Sequence, residues 1–136
     1  MSNVEQTLSI IKPDAVERNL ESEIKKEFIN KGFNIAKEKK IQLAKSEAEE
    51  FYKVHETKPF YNDLCAYLSS GPIVVMILEK EGAVTANREL MGTTDPQKAE
   101  EGTLRKKFGV SIDKNSVHGS DSVENAKIEV NFFFKD

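Results

Sequence analysis

The chain has 136 residues, of which 38% are hydrophobic and 32% charged, and its 20 Lys and Arg against 23 Asp and Glu give a net charge of −3. This length predicts one domain over residues 1–136, and the acidic balance argues against a protein that holds nucleic acid through its overall field. A single cysteine excludes an intrachain disulfide, and the longest apolar run, residues 73–78, is too short to cross a bilayer, so we expect a soluble, cytoplasmic protein.

The first predicted elements are a strand and a helix. Residues 8–11 form a short apolar run that stops at Lys12-Pro13, where the proline ring favours an extended preceding residue. Between residues 19 and 31, apolar side chains recur at every fourth position, and Gly32 follows them. This spacing predicts a helix that ends near Gly32.

An edge strand and a capped helix are predicted next. The alternation in residues 33–43 predicts a strand with an exposed middle and one buried face, formed by Phe33, Ile35, Ile41 and Leu43. Ser46 and Glu49 have the spacing of a capping box, which predicts that a helix begins there. This helix would place Tyr52 and His55 on one face.

The middle of the chain predicts a short helix, a central strand and a longer helix. Pro59 suits the first turn of a helix whose core stripe is Tyr61, Leu64, Cys65 and Leu68. Residues 73–78 are continuously apolar and β-branched, which is typical of a central strand. Residues 82–91 then have helical spacing, with Arg88 on the same side as Val84 and Met91, and Gly92 ends this helix.

The last part of the chain predicts a long loop and a terminal helix. Residues 93–120 have little periodicity apart from a possible short strand at 116–118, and a connection of that length is more often functional than idle. Asp121 and Glu124 can cap a helix that turns Val123, Ala126 and Val130 inward. The order of elements predicts an α+β, ferredoxin-like βαββαβ antiparallel sheet covered by helices, with a long active-site loop and a C-terminal helix.

The glycine-based nucleotide motifs are absent, because no two glycines have the spacing of a P-loop or of a dinucleotide-binding fingerprint. The motifs of common hydrolases, zinc proteases and protein kinases are absent as well. The remaining candidate is His118, which precedes a Gly-Ser turn and a helix start that favours an anion. A neutral imidazole there can act as a nucleophile if a carboxylate such as Glu129 orients it. The alternative is a turn histidine that hydrogen-bonds a neighbouring carbonyl.

Residues 115–122, Asn-Ser-Val-His-Gly-Ser-Asp-Ser, resemble the active-site signature of nucleoside diphosphate kinases. Four further segments match the family in order, namely Ile11-Lys12-Pro13-Asp14, Arg88-Glu89-Leu90-Met91-Gly92, Thr94-Asp95-Pro96 and Gly102-Thr103-Leu104-Arg105. The resemblance covers nearly the whole chain, and ordered motifs around one eight-residue signature are more specific than any single motif. Three positions depart from the usual pattern, because Asn19 and Ser22 stand where members usually have glycine and Glu101 where they usually have proline.

The resemblance implies a ping-pong kinase in which both half-reactions use one site. His118 would attack the γ-phosphate of a nucleoside triphosphate, typically ATP, and the resulting phosphohistidine would phosphorylate a nucleoside diphosphate. Ser120 and Glu129 match the positions that fix the imidazole, Lys12 matches a contact to the ribose and phosphates, and Tyr52 matches a further catalytic-site position. The remaining matches bind the nucleotide: Arg88, Thr94 and Arg105 at the phosphates, Phe60, Leu64 and Ile112 around the base, Asn115 at the sugar, and His55 nearby.

The resemblance also implies the cofactor and the partners. Mg²⁺ would be delivered with the nucleotide phosphates, and we expect no metal site built from protein side chains. Stacking of the base on Phe60 would tolerate any base, since every base offers a flat face. Family members form hexamers or tetramers built from dimers, so we expect a homo-oligomer, with no membrane or nucleic-acid partner. The alternative function is a catalytically idle ferredoxin-like nucleotide-binding or interaction module, against which the intact set of matched charged residues argues.

Overall fold

A computed structural model describes residues 4–53, 56–93, 95–109 and 116–134 of the chain. Its β-sheet carries the segment in which His118 lies. Its strands are β1 (Val4–Ile11), β2 (Asn34–Ile41), β3 (Ile73–Glu81) and β4 (Val117–Gly119). They pair antiparallel in the order β2-β3-β1-β4, so the apolar run at residues 73–78 is central, as predicted. The strand at 33–43 lies at an edge, which explains why its middle is exposed.

The helices of the described residues follow the predicted order, with two additions. They are α1 (Pro13–Glu17), α2 (Glu21–Asn30), α3 (Lys45–Phe51), α4 (Tyr61–Leu68), α5 (Ala83–Met91), α6 (Leu104–Phe108) and α7 (Val123–Phe133). The short α1 and α6 were not predicted, because five residues are too few for a periodic pattern to show. Strand order and helix positions confirm the predicted ferredoxin-like βαββαβ fold. Within the described ranges, every helix is too short or too polar to cross a membrane.

Helices cover both faces of the sheet, because alternate strand residues point to opposite sides. On the first face, Ile11, Val74 and Met76 pack with apolar residues of α2 and α5. On the second face, Ile10 and Val75 pack with apolar residues of α3, α4 and α7. His118 pairs with Ile10 across the β1–β4 ladder and therefore lies on the second face.

A β-bulge in β2 corrects the prediction that residues 33–43 present one buried face. Ile35 pairs with Leu78, yet Lys37 pairs with Ile77, so Ala36 is an extra residue in the strand. An extra residue reverses the alternation beyond it. Phe33 and Ile35 therefore pack in the first-face core, whereas Ile41 and Leu43 pack in the second-face core.

The starts of α3 and α7 differ from the predicted caps. Helix α3 begins at Lys45, since the Glu47 carboxylate accepts from the Ala44 N–H over 2.9 Å and caps the helix two residues earlier than the Ser46 box would. In α7 the cap is Ser122, whose hydroxyl accepts from the Asn125 N–H over 3.1 Å. This shift leaves Val123 40% exposed instead of inward-facing.

Helix α3 also ends earlier than the predicted helix, which extends to His55. Its last residue is Phe51, and Tyr52 follows as the C-terminal cap. The second residue of the predicted pair, His55, lies outside the described residues. The helical face predicted to be shared by Tyr52 and His55 therefore stays a prediction.

Candidate active site

His118 lies in β4 and is oriented by a carboxylate from α7. Its Nε2 lies 2.9 Å from Oε1 of Glu129, and both side chains are about one-fifth exposed, with 20% and 19% of their surface accessible. The Phe51 ring, at the end of α3, meets the imidazole edge-on with ring centres 5.4 Å apart. The interpretation of His118 as a turn histidine bonded to a carbonyl is therefore wrong, because the structure gives it the predicted carboxylate partner.

Ser120 holds the same carboxylate from the other side. Its hydroxyl donates to Oε1 of Glu129 over 2.9 Å and accepts from the Leu8 N–H over 3.3 Å. The Ser120 N–H in turn donates to the Leu8 carbonyl over 3.2 Å. Since Ser120 is fully buried, these bonds fix the Glu129 oxygen that faces His118.

Two arginines flank His118 from the first face. Arg88, in α5, donates to the Asp121 carbonyl over 3.2 Å. Arg105, in α6, donates to the carbonyls of Gly92 and Val117 over 3.0 and 2.9 Å. The helices thus place one guanidinium beside the residue that precedes His118 and one beside the Asp121 turn that follows it.

The electrostatics of this pair favour an anionic ligand. Burial, and to a lesser extent the nearby charge of Arg88, lower the pKa of Arg105 to about 10. Both side chains line a cleft of about 640 Å³, whose other charged lining residues are Lys98, Glu89 and Glu100. The two guanidinium groups repel each other, and a bound phosphate would offset this repulsion because it accepts hydrogen bonds from both.

Lys12 lies at the end of β1, next to the start of β4. Its N–H donates to the Ser116 carbonyl over 2.8 Å, and the preceding Ile11 pairs with Val117. The lysine itself is buried, with 6% of its surface exposed. The structure thus brings Lys12, Arg88, Arg105, Ser120 and Glu129 around the segment that carries His118.

The residues matched to base binding lie apart from this group. Phe60 precedes α4, and 47% of its surface is exposed. Leu64, one turn on, is half-buried against the second-face core. Tyr52 is buried in that core, where burial and then the charge of Glu129 raise the pKa of its hydroxyl.

Part of the predicted site falls outside the described residues, namely His55, Thr94, Ile112 and Asn115. Within the described ranges, no group of three or more His, Cys, Asp or Glu side chains could hold a metal ion. The sequence reasoning missed Phe51 as a neighbour of His118, because its helical spacing indicated a core position. The signal that could have found it is its place beside Tyr52, a matched residue.

Comparisons with known proteins agree with this geometry. The family model described as "Nucleoside diphosphate kinase" matches residues 5–136. A "Nucleoside diphosphate kinase" of Campylobacter jejuni is 57% identical over 132 residues, 97% of this chain and 96% of that protein. One of Nitratiruptor is 57% identical over 96% of both chains. The solved Aquifex aeolicus nucleoside diphosphate kinase is 41% identical with a TM-score of 0.95, and the match covers 97% of this chain and 96% of that one.

Proposed function

The chain belongs to the nucleoside diphosphate kinase family, and we propose that its phosphotransferase activity proceeds through a phosphohistidine on His118. The family makes the chain an enzyme with nucleotide substrates, and the relatives give no support to a catalytically idle module. The observation that carries the proposal is the contact of His118 with Glu129, which is itself held by Ser120. We infer that His118 is the reacting residue and that Glu129 and Ser120 hold its imidazole in place.

The Glu129 contact selects the ring nitrogen that reacts. Because Oε1 accepts a hydrogen bond from the Nε2–H group, the favoured neutral tautomer leaves a lone pair on Nδ1. Nδ1 then attacks the γ-phosphorus of a nucleoside triphosphate, the bond from that phosphorus to the bridging oxygen breaks, and the diphosphate leaves. In the second half-reaction, a terminal oxygen of another diphosphate attacks the phosphorus, and Nδ1 regains its lone pair.

The cations around His118 suit the charge of the transferring group. In a loose phosphoryl-transfer state, negative charge spreads over three non-bridging oxygens, and fixed positive groups stabilise it. We infer that Arg88 and Arg105, with Thr94, hold the phosphates from one side and that Lys12 binds the ribose and phosphate region from the other. Tyr52 stays a proposed site residue that acts from its buried position behind Glu129.

The exposed ring of Phe60 supports a stacking role for the base. Stacking on an aromatic face contributes about 1 to 3 kcal/mol per base and depends little on which base is bound. With Leu64 and Ile112 completing the slot, and Asn115 and His55 nearer the sugar, we infer a broad range of nucleoside tri- and diphosphates as substrates. Stacking would hold the base while the phosphate reaches His118.

Mg²⁺ and the assembly belong to the same proposal. We infer that Mg²⁺ enters as part of the nucleotide substrate, where it neutralises phosphate charge, because the groups gathered beside His118 are cations suited to phosphate oxygens. We further infer a single domain over residues 1–136, a cytoplasmic location, and a homo-oligomer, hexamer or tetramer, built from dimers. The exposed edge strand β2 offers a surface for such pairing.

The test is a coupled assay of phosphate transfer from ATP to a panel of nucleoside diphosphates, run with and without Mg²⁺. We expect transfer to purine and pyrimidine diphosphates alike, dependent on Mg²⁺, and parallel initial-rate lines when both substrates are varied. Intersecting lines would show a direct transfer between two bound nucleotides and would contradict the covalent route. A His118→Ala protein provides the background rate.

A further inference from the structure

Asp14 carries a buried carboxylate that lies outside the site described above. It stands in the first turn of α1, and 6% of its side chain is exposed. The Tyr67 hydroxyl donates to Oδ1, and the Arg18 guanidinium donates to Oδ2 over 3.1 Å. The Ser116 hydroxyl lies 3.0 Å from Oδ2 and 3.0 Å from the Phe108 carbonyl, and it has one proton to share between them. Asp14, Arg18, Tyr67 and Ser116 are called the Asp14 cluster below. A carboxylate buried to this degree needs such partners, because an unpaired buried charge is costly.

Ser116 connects the Asp14 cluster to the strand that carries His118. Its backbone φ of +75° lies in the left-handed region, which residues other than glycine rarely adopt. The Ser116 hydroxyl also accepts from Arg18 over 3.1 Å, so two side chains of the cluster hold this turn. Strand β4 begins at the next residue, and His118 is its second member. The hydrogen bonds of Ser116 therefore determine where the strand of His118 starts.

The Asp14 cluster also reaches the segments that carry two cations of the site. Lys12 immediately precedes α1, and its N–H bonds to the Ser116 carbonyl. Arg18 donates to the Phe108 carbonyl over 2.5 Å, and Phe108 is the last residue of α6, which carries Arg105. Ser116 and Arg18, two partners of the buried carboxylate, thus contact the segments that carry Lys12, Arg105 and His118.

Building on the proposed function, we propose that Asp14 is a positioning residue for phosphoryl transfer that acts on His118 through Ser116. Its carboxylate holds the turn before β4 in its left-handed conformation and so keeps the imidazole aligned with a phosphate held by Lys12 and Arg105. A displacement of reacting groups by about 1 Å costs on the order of 100-fold in rate even when the substrate still binds. The role therefore predicts a loss in the transfer step and not in nucleotide affinity.

The first test is Asp14→Asn, which keeps the size of the side chain and removes its charge. The rate constant for transfer of labelled γ-phosphate from ATP to the enzyme is measured by rapid quench, and ADP affinity is titrated on the same preparation. We expect transfer to slow by about 30-fold while ADP affinity stays within about threefold. An unchanged transfer rate, or equal losses in rate and affinity, would overturn the proposal.

The second test asks whether Asp14 acts through Ser116. We expect Ser116→Ala alone to slow transfer by about fivefold, and the double variant to be no slower than Asp14→Asn, because both changes break the same link. If the two effects multiply, the residues act independently and the proposed route is wrong. A merely structural loss of stability would give no such coupling in the transfer rate.

Two controls keep the result interpretable. Ile24→Val trims a fully buried side chain of α2, on the face of the sheet opposite His118, so it lowers the melting temperature without slowing transfer. If Asp14→Asn does not fold, Tyr67→Phe removes one donor to Asp14 and keeps the ring, and we expect about threefold slower transfer, with an unchanged rate counting against the proposal.

If the wild-type protein takes up label on His118 but the variants match it, this inference fails while the proposed function stands. If the wild type takes up no label, the proposed function itself fails.

Discussion

Two regions of the site are built on opposite principles. The transfer corner, formed by His118, Ser120 and Glu129, is mostly buried, and hydrogen bonds link Nε2 of His118 to Oε1 of Glu129, and that oxygen to Ser120, which is bonded to β1. The base edge, formed by Phe60 and Leu64, is open, with the aromatic ring 47% exposed. The difference indicates a division of labour: the corner fixes geometry for one reaction, whereas the edge offers apolar area to any base.

The two regions differ because a misplaced group costs more free energy in the transfer corner than at the base edge. A buried carboxylate such as Glu129 loses about 1 to 3 kcal/mol for each hydrogen bond left unmade, so its partners must be fixed before the substrate arrives. An exposed ring has no such requirement, since stacking depends on area and tolerates small displacements. Substitutions in the corner should therefore lower kcat, and those at the edge should raise KM.

Glu129→Gln is the substitution expected to separate the two regions most strongly. The amide can donate to Nε2, which favours the tautomer with the proton on Nδ1 and removes the reacting lone pair. We expect kcat to fall by about 100-fold or more with little change in KM, as is typical when acid–base orientation is lost. Steady-state kinetics measure this, with Glu124→Gln, an exposed position on the same helix, as the matched control. Normal kcat in Glu129→Gln would refute the corner's role.

Arg105→Gln tests the cationic cleft that lies between the corner and the phosphates. Loss of a charged hydrogen bond to phosphate costs about 1.5 to 3 kcal/mol, which corresponds to roughly 10- to 100-fold weaker binding of ADP. Arg105→Lys should not restore affinity, because one ammonium cannot reach the Gly92 and Val117 carbonyls as the guanidinium does. Calorimetric titration provides the values, with exposed Lys106→Gln as control. Full affinity in Arg105→Lys would show that charge alone suffices.

The pH dependence of ADP binding reports on the same arginine. Burial, with the charge of Arg88, lowers the pKa of Arg105 to about 10, so the guanidinium is protonated at neutral pH and loses its proton as the pH rises through that value. We expect affinity to fall by up to about tenfold per pH unit above pH 10 in the wild-type protein, on top of any loss from lysines. In Arg105→Gln this part of the slope should vanish. Identical slopes in the two proteins would exclude Arg105 as the titrating contact.

Phe60→Ala should give the smallest effect and the opposite kinetic signature from Glu129→Gln. Removing the stacking face should raise KM by about fivefold for every base, since stacking contributes about 1 to 3 kcal/mol. We expect kcat to stay near the wild-type value, because the transfer corner is untouched. Kinetics with purine and pyrimidine diphosphates measure this, and Phe60→Tyr, which keeps the ring, serves as control. A selective loss for one base would mean that the edge reads base identity.

Much of the fold could be predicted from sequence, because strong periodicity identifies elements that bury a whole face. The apolar run at residues 73–78 and the helix closed by Gly92 were predicted in place. The bulge at Ala36 could not be predicted, since one extra residue leaves no mark in the alternation until the pairing partner is known. The predicted starts of α3 and α7 were wrong because several polar residues near each start can act as the cap.

The candidate site was less accessible to sequence reasoning than the fold. Spacing placed His118 before a helix start and offered Glu129 as its carboxylate partner, but Ser120 came from the family resemblance, because contacts between β4, β1 and α7 have no local signature. Asn19 shows how a departure can be neutral: it stands where relatives usually have glycine and adopts a φ of +61°, which asparagine tolerates better than most residues. Asp14 and Ser116 stand in two of the matched segments, but the sequence does not show that they touch, since they lie about one hundred positions apart.

Chemical identification of the phosphoenzyme tests the central claim most directly. The protein is incubated with ATP labelled on the γ-phosphate, isolated, and digested, and the labelled peptide is tested for stability in acid and in alkali. We predict label that is lost in acid, survives alkali, lies on the peptide containing His118, and is discharged by added ADP. Label that persists in a folded His118→Ala protein, or an alkali-labile ester on a hydroxyl such as that of Ser120, would contradict the account.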